Sequence, residues 1–517
     1  MAEAVGVDFV HDRGGTGDKH YPETMGSGVA WLDFDGDGWW DLYLMQSGPF
    51  PPRGQAGAAN RLFRNLGGSF EDVTERSGVG HRGFGQGVVA ADADGDGTAD
   101  LYLGNYGADA LLLNRGDGTF ADATPSSGLG LGGWTSSAAF GDGDGDGDLD
   151  LYVTRYLVYP EDNQLFCGDP ETGRRQYCDP ALFEGESDRY YKNRGDGRFD
   201  DATREAGFAG ADGKGMGVLF TDLDGDRFAD VYVANDLTLN LLYRNLGGGR
   251  SGAPAFEDLS LLSGTALNRD GKPEAGMGVA AGDVDGDGRP DLAVSNFDVE
   301  TNTLYRNLGQ MLFEDIAAES GFGPPSFNFL AFGIVLVDLD LDGDLDAYVA
   351  NGHVRERPRR ENVFYAERDL VLLGDGGGGF RELRCDGLER DPGVGRGVAW
   401  SDFDHDGDPD LAVQNNDSRF ELLRNETADY GWLGVRLRGR GGNTEAVGAE
   451  VRLLSGDHEQ TRRVVAGDSY QSSSDKRLLF GLGAVGEADE IEIVWPSGKV
   501  RRLVNPPGNA YLTFREP

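Results

Sequence analysis

The chain has 517 residues, with 89 acidic against 47 basic side chains for a formal charge of −42, and no stretch approaching the roughly 20 apolar residues of a transmembrane helix. That charge repels nucleic acid and anionic lipid surfaces, so neither is expected as a partner. The 83 glycines fall at repeating turn positions and not in low-complexity runs, which indicates a folded, turn-rich chain.

In chain order, residues 2–7 (AEAVGV) match only the end of a repeat seen later at 74–79 (TERSGV). The strand that should precede them is therefore expected ahead of Met1 or absent, unless residues 5–10 close the array in another way. The first acidic loop follows as DFDGDGWWD, with Asp33, Asp35, Asp37 and Asp41 in the pattern D-x-D-x-D-x-x-x-D. Alternating Val29, Trp31 and Phe34 before it and Leu42 and Leu44 after it predict flanking strands. Six more copies recur 50 to 80 residues apart: Asp92, Asp94, Asp96 and Asp100; Asp142, Asp144, Asp146 and Asp150; Asp222, Asp224, Asp226 and Asp230; Asp283, Asp285, Asp287 and Asp291; Asp338, Asp340, Asp342 and Asp346; Asp402, Asp404, Asp406 and Asp410.

Four carboxylates in nine residues repel one another unless a hard cation lies among them. Calcium suits them because it takes six to eight oxygens in flexible geometry, whereas magnesium demands an octahedron. Up to seven calcium ions are expected. Leu44 stands where an EF-hand would carry its twelfth-position glutamate, so that motif is excluded. Glycine at position 6 gives way to Arg227 in the fourth loop, and position 4 becomes Leu341 and His405 in the last two. These three loops are expected to bind more weakly, because the sharp turn favours glycine.

Each loop sits in a wider unit. Gly-x-Gly precedes it in five copies, as at Gly26/Gly28 and Gly215/Gly217, a strand such as DLYL follows, a third strand ends in R-N (residues 62–65, 242–245), and F-x-D-x-T closes it, as at Phe70 and Phe120. Four short strands in seven units predict an all-β fold, a seven-bladed β-propeller over residues 1–429 with one acidic loop per blade, followed by a small C-terminal β-domain over 430–517. Glycine ahead of the innermost strand fits backbones converging around a central axis.

These repeats resemble FG-GAP/VCBS-type calcium propeller repeats. The tail resembles an ASPIC/UnbV domain through Trp432-Leu-Gly-Val-Arg-Leu, Gly448-Ala-Glu-Val, Tyr470 with Ser472, Phe480-Gly-Leu-Gly483 and Trp495-Pro-Ser-Gly-Lys-Val. Together they resemble the cartilage acidic protein family and its bacterial relatives. The resemblance implies calcium binding and an extracytoplasmic setting, and offers no established catalytic residues; a signal peptide is absent from the chain, as if removed from its front.

Cys167 and Cys178 share one Asp/Pro/Gly-rich insertion, where a disulfide would close the loop with little strain; two free thiols are the alternative. If the acidic loops join first to second strands they occupy one face, and the irregular segments 49–59, 156–187 and 351–368 occupy the other, which is the expected ligand face. Candidates there are Asn235, Asn296 and Asn351 at strand ends, with Arg155 and Tyr156, His353, Arg355 and Arg357. The amides equally suit backbone capping, and the arginine run a solvated loop. His353 is the one histidine placed for catalysis. The function expected is a calcium-binding adhesion or recognition module for a protein or polysaccharide. The alternative is an enzyme on the same scaffold, a polysaccharide lyase or a natural-product tailoring enzyme of UnbV type, which a pocket lined by Lys, Arg, His and Tyr would favour.

Overall fold

A computed structural model describes the chain except residues 51–57, 131, 163–164, 209, 211–212, 248–254, 357–362, 385–391, 428–429 and 485. The alternating segments around each acidic loop form an antiparallel sheet; the first contains Val29–Leu32, Asp41–Leu44, Arg61–Asn65 and Phe70–Asp72 in that order. Six such four-stranded sheets and a seventh of three strands follow one another along the chain, apart from two more in the C-terminal region. The register is the same in all seven. The residue before the loop pairs with its ninth, as Leu32 with Asp41, Thr221 with Asp230 and Ser401 with Asp410, so each acidic loop is the turn between first and second strands.

The first strands lie side by side in chain order, and that of the seventh sheet, Gly395–Ser401, lies against that of the first. Third-strand asparagines join the sheets. Asn65 Nδ2 donates to Trp40 O at 3.1 Å in its own loop and to Phe403 O at 2.7 Å in the seventh. Asn114, Asn193, Asn245 and Asn307 each bridge their own loop to the preceding one in the same way, and Asn425 reaches Leu339 O in the sixth. The sixth sheet has Gly374 at this place, where a Cβ would lie 2.3 Å from Leu345 O.

The space between the first strands is filled by the chain's own C-terminal region. Phe140 N donates to Ala466 O, Val279 and Ser469 exchange two backbone bonds, Val88 N donates to Gln471 O, Trp31 N to Ser473 O, and Asp475 N to Trp400 O. Ser469 Oγ accepts from Ile334 N at 3.0 Å. One strap thus satisfies backbone groups on six of the seven inner strands, groups that would otherwise be buried without partners. The close approach explains the glycines: a Cβ on Gly28 would sit 1.7 Å from Gln471 O. On the side away from the acidic loops the short helix Tyr21–Thr24 covers the axis among Trp134, Tyr156, Phe332 and Tyr470. Arg396, stacked over Phe332 at 4.0 Å, donates twice to Thr24 O there.

Residues near the N-terminus lie on the seventh sheet. Ala2–Val5 forms a 3-10 turn against its third strand, His11 N donates to Ser418 O and Phe420 N to Phe9 O. Gly6 lies against Phe70 O as Gly128, Gly207 and Gly264 lie against Phe199, Phe256 and Phe313 O, so these residues occupy the place of a repeat's end.

The C-terminal strands make a sheet of Leu478–Gly481, Trp432–Arg438 and Tyr511–Arg515, and another of His458–Arg463, Glu450–Ser455, Glu490–Val494 and Val500–Val504. Their core, with Val435, Val451, Phe480 and Trp495, runs without a break into Val89, Phe140 and Leu151 of the second and third sheets.

Replacing Asn65 by Ala removes the buried bond to Phe403 O that joins the first sheet to the seventh and a second, to Trp40 O, within its own loop. It is expected to cost about 2–4 kcal/mol, mostly from the carbonyls left unpaired, measured as a lowered urea midpoint with unchanged slope.

Candidate metal centres and the opposite face

Each acidic loop is folded by its own carboxylates. Positions 4 and 6 are left-handed, as at Gly36 (φ 72°) and Gly38 (φ 94°), and Arg227, Leu341 and His405 hold the same conformation at φ 76°, 59° and 59°. The turn geometry therefore survives all three replacements, at a cost of roughly 1–2 kcal/mol each for a side chain in that region. Position 1 accepts backbone N–H groups from inside the turn: Asp92 takes Gly95 N and Gly97 N, both at 2.8 Å. Position 9 uses both oxygens in every copy. Asp41 accepts Asn65 N at 2.8 Å and Phe34 N at 3.1 Å, and Asp100, Asp150, Asp230, Asp291, Asp346 and Asp410 repeat the pair.

Burial, reinforced by neighbouring carboxylates of the same loop, pushes Asp41 to about 9, Asp150 to about 8, and Asp291 and Asp346 to about 7. Asp100, Asp230 and Asp410 are likewise held well above the carboxylate range by burial. Carboxylate oxygens from three residues of one loop lie within 4.8 Å of one another in at least five loops, among them Asp33, Asp35 and Asp41, and Asp222, Asp224 and Asp230. One Oδ1 on each of Asp285, Asp338, Asp340, Asp402, Asp404 and Asp408 is buried without a hydrogen-bond partner. A buried, unpartnered carboxylate oxygen is costly, and a hard divalent cation would supply what these donor sets lack.

A carboxyl whose folded pKa lies above its unfolded value stabilises the fold at low pH and loses that contribution as pH rises through the folded value. In chelator the melting temperature is therefore expected to fall between about pH 4, their ordinary value, and about pH 9, the highest of their folded values. With millimolar calcium, which binds the ionised form, thermal scans are expected to show no such fall. Separately, Arg227→Gly removes an exposed side chain from a left-handed position and is expected to raise stability by about 1 kcal/mol, read from the denaturation midpoint.

The C-terminal region covers the acidic-loop face. Arg436 reaches Asp33 at 2.5 Å, the Thr444 hydroxyl bonds Asp92, Gly481 N donates to Asp338 at 3.0 Å, and the Tyr511 hydroxyl donates to Asp402 at 2.7 Å. Four position-1 aspartates are thus held from above by the tail. Sequence reasoning missed this embrace and the strap beneath it, although the run Tyr470-Gln-Ser-Ser-Ser474 of small, hydrogen-bonding residues was its signal.

On the opposite face the structure buries most of the candidate residues. Asn235, Asn296 and Asn351 cap their strands, donating to Leu239 O at 2.8 Å, Thr301 O at 2.8 Å and Arg368 O at 2.9 Å. Arg155 lies buried between Asp109 at 3.8 Å and Glu186 at 4.0 Å. The Tyr156 hydroxyl bonds Asp236 inside the aromatic cluster. His353 is 2% exposed, 3.7 Å from Asp298, and its Nδ1 accepts Arg355 N at 2.8 Å. These groups are committed to internal contacts. Arg355 alone keeps part of its side chain in solvent, 3.9 Å from Asp179. Arg357 lies outside the described residues, as do Arg359, Arg360 and Cys385. Cys167 and Cys178 form the expected disulfide, closing a small hairpin with a Cα separation of 5.2 Å.

The repeat geometry agrees with the comparisons. The FG-GAP-like repeat model matches residues 33–103, 94–153, 179–233, 222–294 and 283–349, and the ASPIC and UnbV model matches 439–517. The chain belongs to the FG-GAP-like repeat family, with an ASPIC and UnbV domain following the repeats. Cartilage acidic protein 1 of Homo sapiens is 27% identical over 328 residues, 62% of this chain and 46% of that protein. Its Xenopus tropicalis counterpart is 25% identical over 487 residues, 92% of this chain and 61% of its own. The chain spans about half the length of the curated relatives it matches. Among solved structures, an Agrocybe aegerita lectin described as recognising non-reducing terminal N-acetylglucosamine is 18% identical with a TM-score of 0.39, covering 76% of this chain and 87% of that one. That likeness is too distant to carry an argument.

Proposed function

We propose that the chain is a calcium-stabilised, extracytoplasmic recognition module: a seven-bladed β-propeller over residues 1–429 with one calcium ion per acidic loop, sealed by the domain 430–517, binding a protein or polysaccharide through the face opposite the loops. The cyclic succession of first strands and the asparagine bridge from the first sheet to the seventh support the ring. The buried, unpartnered carboxylate oxygens support the ions. The disulfide and the cartilage acidic protein relatives support an oxidising, extracellular setting.

One observation carries the reading. The C-terminal domain occupies the acidic-loop face, so the face free for a ligand is the loop-built one, and there His353 and most of the tyrosines are withdrawn from solvent. A lyase or tailoring enzyme would need those groups open to substrate; a binder needs only the loops.

The test is binding of the full chain to immobilised sulfated and uronate-containing polysaccharides and to matrix proteins, with calcium and with EDTA. Saturable binding in calcium is expected, lost in EDTA and weakened at least fivefold by Arg355→Ala at unchanged melting temperature. No unsaturated sugar should accumulate; turnover of a uronate polymer would replace this reading with the lyase.

A further inference from the structure

The seven acidic loops differ in one respect that their shared pattern hides. In the first, a third-strand cation bridges positions 3 and 5: Arg64 Nε lies 2.6 Å from Asp35 and its NH2 2.8 Å from Asp37. Arg244 does the same to Asp224 and Asp226 at 2.7 and 3.3 Å, Arg424 to Asp404 and Asp406 at 2.9 and 3.0 Å, and Lys192 bonds Asp144 and reaches Asp146 at 3.3 Å. In the second and sixth loops the same third-strand place holds Leu113 and Leu373, and among the described residues no salt bridge reaches Asp94, Asp96, Asp340 or Asp342. The fifth is intermediate. Arg306 turns outward to Glu314 at 2.6 Å, and only position 5 is paired, by Arg289.

Resting on the calcium reading above, we propose that these third-strand cations sort the loops into two classes of calcium site, weak in the first, third, fourth and seventh and tight in the second, fifth and sixth. The cation engages one oxygen on each of the two carboxylates that an incoming ion would use most directly. In the first loop the other oxygen of each already accepts a backbone N–H, from Asp37 and Trp39. Calcium must displace the cation or tolerate it one contact away, whereas in the second and sixth loops backbone N–H groups take Oδ1 of Asp94, Asp96 and Asp342 and, among the described residues, no salt bridge holds the other oxygen. A +1 charge ~5 Å from a +2 ion, even in high dielectric, corresponds to about a tenfold loss of affinity. Affinity in such loops follows ligand charge and rigidity. Rigidity does not separate the classes, because Leu341 holds its loop in the same left-handed turn as glycine. On this ranking the sixth loop is tight despite lacking that glycine. The cations also neutralise their loops when calcium is scarce, so part of the array stays folded without metal.

The experiment is a calcium titration of the chelator-stripped full chain by calorimetry and by competition with a chromophoric chelator. Two steps are expected, about three tight equivalents followed by about four weaker ones. Arg244→Leu and Lys192→Met should each move one equivalent from the weak to the tight step and lower the melting temperature in EDTA, whereas Arg194→Leu, at a residue whose salt bridge is with exposed Asp200 outside the acidic loops, should move neither. A single class of seven sites, or a variant that loses affinity at its loop, overturns the sorting while leaving calcium binding intact. No binding at millimolar calcium overturns the calcium reading itself.

Discussion

The position-nine aspartate is the contact on which the rest of the molecule depends. In every loop it is buried, accepts one N–H from the loop's second residue and another from the third strand, and so ties the turn to the body of its sheet. Burial disfavours its ionised form, which the two N–H bonds and any nearby positive charge favour. The stability of the array therefore depends on how the charge of these buried carboxylates is met.

Two devices meet that charge locally. One would be a divalent ion, which the donor sets fit. The other is a guanidinium or ammonium delivered by the third strand at four loops. Next to each cation in sequence stands the asparagine that bridges to the preceding loop. The dipeptide R-N or K-N thus does two jobs at adjacent positions whose side chains point to opposite sides of the strand: one residue addresses the charge of its own loop, the next fastens the neighbouring sheet.

Between the sheets lies the second constraint. First strands whose inner edges face an axis have backbone groups with no partner strand, and burying them unpaired is costly. Here the partner is a strap from the C-terminal region, rich in serine and small enough to pass between glycines. The tail is consequently no appendage. Its core is continuous with that of the second and third sheets, its strands cover the acidic loops, and its strap fills the axis down to the aromatic cap around Tyr21, Tyr156 and Tyr470. The amide ring expected to greet a ligand is occupied for the same reason, since strand ends packed this tightly use Asn235, Asn296 and Asn351 as caps.

The sequence by itself determined the repeat, the strand-loop-strand unit and the spacing of each aspartate cluster between its two strands. All of these are set by residues within a few tens of positions of one another, through alternation, turn-permitting glycine and carboxylate spacing. Only the tertiary structure decided what fills the axis, which face remains open and which loops carry a cation of their own. Those outcomes rest on contacts such as Ser473 with Val29, Arg436 with Asp33, and Arg244 with Asp224 and Asp226. A strap that hydrogen-bonds six strands shows no periodicity of its own, and a buried histidine has the same letter as a catalytic one. Which partners such residues meet is fixed by packing across the whole chain.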